Sequence, residues 1–341
     1  MLHPRTSAPD RAAGSPPMGV CLGLLIALPV ACLWAMMLGS ASLEPADVLA
    51  ALLHADGSRE ALIVGTVRLP RILAAAGAGA ALAVSGCLMQ AITANPLASP
   101  GLLGVNAGAA FAVVAAIVLF QPASANAYAW FAFLGGAAAG ATVYGLGSVG
   151  TGGATPLKLT LAGVIISAFL GSVTTAILIL DQATLDTVRF WTVGSLAGRQ
   201  MDLVRPLIAY IGVGLVISIL VGGHVTTLSL GSDLARAVGQ NIVLWRLAAG
   251  GLVVILAGSA VAMAGPIGFV GLVVPHMARF VVGPDYRLVI PVSALGGALL
   301  VVCADGIFRH ALPGSDFPVG ITMAAIGAPV FIYLARRVRM S

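Results

Sequence analysis

The residues of this sequence that could do chemistry are few, and their spacing argues against catalysis by the chain itself. Four cysteines stand alone in apolar stretches, without a CxxC or other metal-ligand spacing: Cys21, Cys32, Cys87 and Cys303. A phosphate-binding P-loop needs GxxxxGK[ST], whereas the single lysine, Lys158, follows Leu157. His276 follows Pro275 in an apolar run, and no nucleophile arrangement or carboxylate pair stands out. The sequence therefore predicts no catalytic residue, no metal site and no bound cofactor.

One short charged segment has a pattern that could act on a partner. It is "LSLGSDLARAVGQN", at residues 228–241 within a predicted loop 228–242. Ser232 can cap a helix and Gly239 can end one. The helix between them would present Leu234 and Val238 on one face, and Asp233, Arg236 and Gln240 on another. We predict a two-turn amphipathic helix parallel to the membrane; a solvated loop helix resting on the bilayer is the alternative.

Three arginines also call for an explanation. Arg68 and Arg71 flank Pro70, which suits the first turn of a helix. Cations near a helix N-terminus oppose its macrodipole, at a cost of about 0.3–1 kcal/mol each. Helix stability therefore does not explain them, and snorkelling at the membrane interface is one alternative. Arg309 is expected at a helix C-terminus, where a cation is favoured, four residues after Asp305 and at a helical pairing distance.

Composition defines the elements that must position these residues. Of the 341 residues, 59% are hydrophobic and only 9% are charged, whereas soluble proteins carry about 25% charged residues. The long apolar runs exclude an outer-membrane barrel, whose strands alternate over about 10 residues. The sequence predicts an all-α polytopic membrane protein, with a cytoplasmic tail at 1–17 and a single transmembrane domain at 18–341. The run at 18–39 is too long for a signal-peptide core of about 7–15 residues.

Breaks at Gly, Pro, Asn and charged residues divide the chain into about ten predicted spans. They lie near 18–39, 70–93, 101–120, 129–149, 158–180, 204–222, 243–264, 267–282, 289–308 and 318–335. The span at 267–282 contains Pro275 and is predicted to be kinked, with its freed backbone groups satisfied by neighbouring helices. Residues 181–203 are too polar to span and are expected to form a short interfacial helix.

The basic residues predict the orientation of the chain. With the N-terminus in the cytoplasm, ten of the seventeen basic residues and three of the twelve acidic residues lie on the cytoplasmic side. Ten spans then place both termini in the cytoplasm. The net charge of +5 reflects this orientation and contact with anionic membrane lipid, and nothing indicates nucleic acid.

The missing energy source separates the possible functions. An ion-coupled secondary carrier usually has ionisable groups at mid-membrane, but Asp305 is the only acid expected inside a span, near its outer end. A membrane enzyme lacks convergent catalytic groups. A transporter driven by a separate ATPase accounts for a polytopic chain with a cytoplasmic docking helix.

Four stretches, in order along the chain, resemble the permease subunits of bacterial ABC importers for iron–siderophores, haem and cobalamin, the FecCD-type family. They are "RLPRILAAAGAGAALAVSGCLMQAITANPLASPGLLGVNAGA" (68–109), "LSLGSDLARAVGQN" (228–241), "AGPIGFVGLVVPHMARFVVGPDYRLVIPVSALGGALLVVCADGIFRHAL" (264–312) and "FPVGITMAAIGAPVFIYLARR" (317–337). The resemblance runs from about residue 40 to the end of the chain.

The resemblance implies partners and roles. The partners would be ABC ATPase subunits, a substrate-binding protein, a second permease subunit (identical or a paralogue) and a ferric chelate, in a bacterial plasma (inner) membrane. The coupling helix would involve Gly231, Asp233, Ala235, Arg236 and Gly239; Arg68, Arg71 and Arg309 would dock the binding protein; and Asn95 and Leu97 would help close a cytoplasmic gate. For Asn95 the alternative is a Pro-terminated turn.

The cargo expected from the resemblance is a ferric siderophore, with haem or cobalamin as the alternative. A pathway for a bulky chelate should be lined by small neutral groups. The spans are rich in Gly and Ala, as in "AAAGAGAALAVSG" and "FLGGAAAGATVYGLG". Small residues also allow close helix packing in any membrane bundle, so the sequence leaves both explanations open.

Overall fold

The computed structural model describes residues 17–39, 41–54, 57–120, 125–150, 155–311 and 317–338. All regular secondary structure in these ranges is helical, which confirms the all-α prediction. Residues 1–16 of the predicted tail lie outside the described residues.

The described chain has fifteen α-helices. In order they are α1 (Pro17–Met37), α2 (Pro45–Leu53), α3 (Arg59–Ile63), α4 (Leu69–Thr93), α5 (Val105–Phe120), α6 (Ala125–Ser148), α7 (Pro156–Leu180), α8 (Gln182–Thr192), α9 (Met201–Leu220), α10 (Gly222–Ser229), α11 (Ser232–Ala237), α12 (Ile242–Ala264), α13 (Val270–Val282), α14 (Tyr286–Ala311) and α15 (Val319–Val338). A π-helical turn at Val64–Arg68 joins α3 to α4, and a 3₁₀ turn at Pro100–Leu103 precedes α5.

Each predicted span corresponds to a helix. Seven helices of the described chain are long and apolar enough to cross a membrane, and α5, α13 and the described part of α15 are shorter apolar helices. Helix α13 has 13 residues and is therefore about 20 Å long at 1.5 Å per residue, less than the roughly 30 Å hydrocarbon layer. The polar stretch at 181–203 forms α8 as expected, has no regular structure at residues 193–200, and ends in the first residues of α9.

Helix α4 lies at the centre of the bundle, where it packs against α14, α12, α13 and α9. Its glycines allow this closeness. A Cβ on Gly79 would lie 2.2 Å from the Gly297 carbonyl oxygen, and one on Gly86 would lie 2.0 Å from that of Gly271. The glycines of "AAAGAGAALAVSG" that meet these backbones therefore serve helix packing, the second of the two explanations that the sequence left open.

The turn before Pro70 differs from the sequence expectation. Helical structure begins at Arg59 and continues through the π turn into α4, so Pro70 lies inside a 35-residue helical run. Proline has no N–H and its ring clashes with the carbonyl four residues earlier. The chain accommodates the proline with a π-helical hydrogen bond, in which the Leu69 N–H donates to the carbonyl of Val64, five residues earlier. Arg68 and Arg71 therefore lie within a helix, and the expected macrodipole cost does not arise.

Helix α13 accommodates Pro275 through a neighbouring helix. Pro275 cannot donate to the Gly271 carbonyl four residues earlier. The buried Gln90 of α4 supplies the missing donor, since its Nε2 lies 3.1 Å from that oxygen. This confirms the prediction that a neighbour would satisfy the freed backbone group. The irregularity is larger than a kink, however, because residues 265–269 are not helical and Phe269 has φ of +66°.

Candidate functional site

Arg71, Asp305 and Arg309 form a buried ionic group where the start of α4 meets the end of α14. The Arg71 guanidinium donates to both Asp305 carboxylate oxygens, with Nη2–Oδ1 at 2.8 Å and Nε–Oδ2 at 3.1 Å. Arg309 Nε lies 3.0 Å from Asp305 Oδ2, which is the helical pairing expected from the sequence. The Arg71 and Asp305 side chains are only 10% and 1% exposed. One carboxylate therefore joins two spans that lie far apart in the sequence.

Two of the arginines also bind carbonyl groups in the last turn of α1 and in the residues that follow it. Arg309 donates to the carbonyl oxygens of Ala35 and Leu38, at 3.0 and 3.1 Å. Arg68 donates to the carbonyl oxygens of Met36 and Ala41. The last carbonyls of a helix lack intrahelical donors and carry partial negative charge. The guanidinium groups supply both the missing donors and a compensating positive charge, so the end of α1 is fastened to α4 and α14.

We call Arg68, Arg71, Arg309 and Asp305 the arginine cluster. Its formal charge is positive, with three guanidinium groups against one carboxylate, and the carbonyls at the end of α1 offset part of that excess. Arg68 and Arg71 are buried by protein, which is not the environment of a snorkelling lipid anchor. The three arginines predicted to dock a binding protein are thus brought together by the structure and already have partners within the chain.

The segment at residues 228–242 forms a short helix held by its neighbours. Helix α11 begins after Gly231, at φ of +96°, and not with the expected Ser232 side-chain cap. The Ser232 hydroxyl instead accepts from Arg246 of α12 at 3.0 Å. The helix ends as predicted at Gly239, whose φ is +78°. The Gly239 and Gln240 N–H groups donate to the carbonyls of Arg236 and Ala235, which forms a Schellman motif.

The two faces of α11 have different surroundings. Ala235 is fully buried and belongs to a small cluster with Leu228 and Ile242, so it faces the rest of this chain. The apolar pair predicted from the sequence is exposed, with Leu234 58% and Val238 70% accessible. Asp233 and Arg236 form an exposed pair 3.9 Å apart, an arrangement that contributes little to stability. Leu234 and Val238, which we call the coupling face, are the unpartnered apolar groups of α11.

Polar contacts connect α11 with the helices behind it. Gln240 Nε2 donates to the His224 carbonyl of α10 at 3.0 Å. Within α10, Thr226 Oγ1 donates to Asp285 Oδ1 and accepts from the Tyr286 N–H, each at 3.0 Å. These bonds join α11 to α10 and α10 to the start of α14. No local sequence pattern indicates this network, because its members come from two separate loops.

The turn after α4 is ordered by a side chain. The Asn95 Oδ1 accepts from the Leu97 N–H at 2.9 Å, which forms an Asx turn. Ala94 before it has φ of +47° and ends the helix. Asn95 and Leu97 are exposed, so the structure shows the ordered turn, while their role at a gate stays a prediction.

Arg199 is a partly buried cation that the sequence analysis did not select. It lies in the non-helical stretch after α8, whose Gly194 carbonyl accepts from the Gly320 N–H at the start of α15. Its Nη2 donates to the Ser195 carbonyl at 2.9 Å, and its Nε is buried with no partner in the part of the chain that the structure describes. Burial lowers the pKa of Arg199 to about 10. The only sequence signal is a charge next to a glycine in a polar stretch.

The model of the FecCD transport family matches residues 25–337, a range that contains the arginine cluster, the ordered turn and α11. The chain belongs to the FecCD transport family. This FecCD permease is 48% identical over 282 residues to the "Probable siderophore transport system permease protein YfiZ" of Bacillus subtilis (strain 168), covering 83% of this chain and 85% of the relative. It is 42% identical over 315 residues to the "Ferric enterobactin transport system permease protein FepD" of Escherichia coli (strain K12), covering 92% and 94%.

The fold of the FecCD permease is also found among solved structures. A metal-chelate type ABC transporter in an inward-facing conformation matches with a TM-score of 0.82 and 28% identity, over 94% of this chain and 99% of that chain.

Membership in the family decides between the functions that the sequence left open. A FecCD permease is the membrane-spanning subunit of an ABC importer and is not itself an enzyme. The family implies ATPase, substrate-binding and second permease subunits as partners. The ion-coupled carrier and the membrane enzyme are therefore set aside.

Proposed function

We propose that this permease moves a ferric siderophore into the cytoplasm. The observation that carries the proposal is the 48% identity to a permease named for siderophore transport, over more than four fifths of both chains. The similarity to a ferric enterobactin permease over nearly the whole chain supports the same cargo class. Haem and cobalamin are the competing cargoes.

Uptake by cells tests the cargo directly. In a host that lacks its own chelate permeases, this permease with its ATPase and binding protein is expected to import iron-55 presented as a siderophore chelate. Hydroxamate, catecholate and citrate chelates are compared with labelled haem and cobalamin, and a Leu234→Asp permease serves as the inactive control. Uptake of cobalamin or haem alone, with none of the iron chelates imported, would contradict the proposal.

We propose that the permease lies in the bacterial inner membrane with both termini in the cytoplasm. The contacts of α14 support this orientation, because they show which helix ends lie together at each end of the bundle. The Asp285–Thr226 hydrogen bond places the start of α14 beside α10, whereas the Arg71–Asp305 bond places its other end beside the start of α4. Since α1 ends at the arginine cluster, its first residues lie at the same end as α10 and α11.

Single-cysteine labelling tests this orientation. In a cysteine-free background, a membrane-impermeant maleimide added outside is expected to label residues 60 and 189 but not residues 158 and 287. Labelling from the outside at residue 287 would overturn the orientation.

In this orientation we propose that α11 is the coupling helix and inserts into a groove on the ATPase, a helix-in-groove contact. The coupling face supplies the apolar contact and the Asp233–Arg236 pair lies beside it. No atom of the described residues lies within 4 Å of a Cβ built on Gly231 or Gly239, which leaves room for a partner at both ends of α11. Ala235 lies on the opposite face of α11 from the ATPase and packs against Leu228 of α10.

We propose further that the arginine cluster attracts carboxylates of the binding protein. Its excess of positive charge supports this role, since complementary charge steers the encounter of two proteins. Because Asp305 and the α1 carbonyls hold Arg68, Arg71 and Arg309 in place, the docking surface is preformed. At the opposite end, we propose that the turn at Asn95 and Leu97 helps to close the pathway, and that a second permease subunit completes it.

A further inference from the structure

A cavity of about 620 Å³ opens beside α10, at the end of the bundle that carries α11. Its lining residues, Ile219, Leu220, Gly223, His224, Thr227 and Arg287, come from the end of α9, from α10 and from the start of α14. We call it the α10 cavity. Helix α9 is one of the apolar helices long enough to span the membrane, so the cavity lies at the level where this span ends.

The α10 cavity has a cationic side. The Arg287 guanidinium lies over Gly223, with Nη2 3.0 Å from the position that a Cβ there would occupy. Asp285, the nearest acid in the sequence, uses its Oδ1 to accept from Thr226 and from the Arg287 backbone N–H. The Arg287 side chain forms no hydrogen bond or ion pair with any other residue in the described ranges. Its charge is therefore available to a ligand.

The imidazole of His224, which also lines the cavity, is held in place by stacking. It stacks on the Trp245 indole of α12, with ring centroids 3.7 Å apart and planes 14° apart. The Thr227 hydroxyl donates to the Gly223 carbonyl at 3.2 Å. The cavity thus combines one cation and one ring held in place by stacking.

The part of the α10 cavity that α9 lines is apolar and open. Leu220 is 77% exposed and Ile219 is 44% exposed, both in the last turn of α9. Exposed apolar side chains at the end of a membrane span contact lipid acyl chains. A guanidinium group just outside the hydrocarbon layer contacts lipid phosphate. A free inorganic anion would leave the apolar side without a partner. An amphiphile with an anionic headgroup satisfies both sides.

We propose that the α10 cavity binds an anionic phospholipid of the cytoplasmic leaflet, with the phosphate at Arg287 and an acyl chain along Leu220 and Ile219. The proposal rests on the orientation given above. The site adjoins the segment at residues 228–242, because the His224 carbonyl accepts from Gln240. A bound lipid would therefore brace α10, the helix on which α11 is seated.

The test uses a photoactivatable phosphatidylglycerol in nanodiscs that contain the permease assembled with its ATPase. We expect crosslinks to map to peptides around residues 219–227 and 287. Arg287→Gln is expected to lower this crosslinking about fivefold, whereas Arg287→Lys retains it. The matched control is Lys158→Gln, which removes another cation proposed to lie on the same side and should leave the crosslinks unchanged.

Competition on the wild-type complex decides the source of the ligand, even where a variant does not fold. Unlabelled phosphatidylglycerol should compete, whereas phosphatidylcholine and millimolar inorganic phosphate should not. Equal competition by phosphatidylcholine, or displacement by inorganic phosphate, would overturn the lipid assignment. Crosslinking in the isolated permease that disappears when the ATPase is bound would overturn it too, since the cavity would then be ATPase surface. Transport is not the readout, so this outcome is independent of the cargo.

Discussion

Replacement of Asp305 by alanine is expected to destabilise the permease by about 3–5 kcal/mol, the range seen when one partner of a buried ion pair is removed. The carboxylate is almost completely buried and receives hydrogen bonds from Arg71 and salt-bridge contact from Arg309. Its removal leaves two buried guanidinium groups without their shared counter-charge. The expected readout is a large fall in the melting temperature of the detergent-solubilised permease, together with a weaker attachment of α1.

Asp186→Ala is the matched control for this substitution. Asp186 pairs with Arg189 at 3.4 Å, but both side chains are more than half exposed. Exposed pairs contribute about 0–1 kcal/mol, so the melting temperature should change little. Equal effects of the two substitutions would mean that the arginine cluster does not hold the three helices together.

The second large effect is expected at the coupling face. The double substitution Leu234→Asp, Val238→Asp places two carboxylates where an apolar groove is proposed to contact the permease. Burial of an unpaired polar group costs at least about 2 kcal/mol, which corresponds to about thirtyfold. Substrate-stimulated ATPase activity and transport should therefore fall by at least about that factor, while the permease remains inserted in the membrane.

Val149→Asp is the control for the coupling face. Val149 is 70% exposed, like Val238, but lies at the end of α6, outside residues 228–242. The same change in charge there is expected to leave coupling intact. Normal ATPase stimulation in the Leu234, Val238 double variant would remove α11 from the ATPase interface.

The sequence was sufficient to locate the helices, because apolar runs about as long as the bilayer is thick are a direct signal. It was insufficient to predict contacts between side chains that lie far apart in the sequence. Pro275 predicts that the carbonyl four residues earlier lacks its helical donor, but nothing in the local sequence indicates that Gln90 donates to it. Arg71 and Asp305 are likewise 234 residues apart, and only the packing of α4 on α14 brings them into contact.

For the segment at residues 228–242, the sequence likewise predicted the helix but not the surroundings of its side chains. Glycines and charges fixed the position of α11 and its end at Gly239, because the signal is local. The surroundings of each side chain depend on α10 and α12. Ala235, which the resemblance assigns to the coupling helix, is buried against this chain, and Leu234 and Val238 are the exposed groups.

We propose that this chain is the membrane pathway of an ATP-driven importer of ferric siderophores. This proposal is tested most directly with proteoliposomes that contain the permease and its ATPase, supplied with binding protein and an iron-55 siderophore. Uptake is expected only with ATP on the ATPase side, and an imposed proton or sodium gradient should not replace it. Uptake driven by an ion gradient through the permease alone, without the ATPase, would contradict the account.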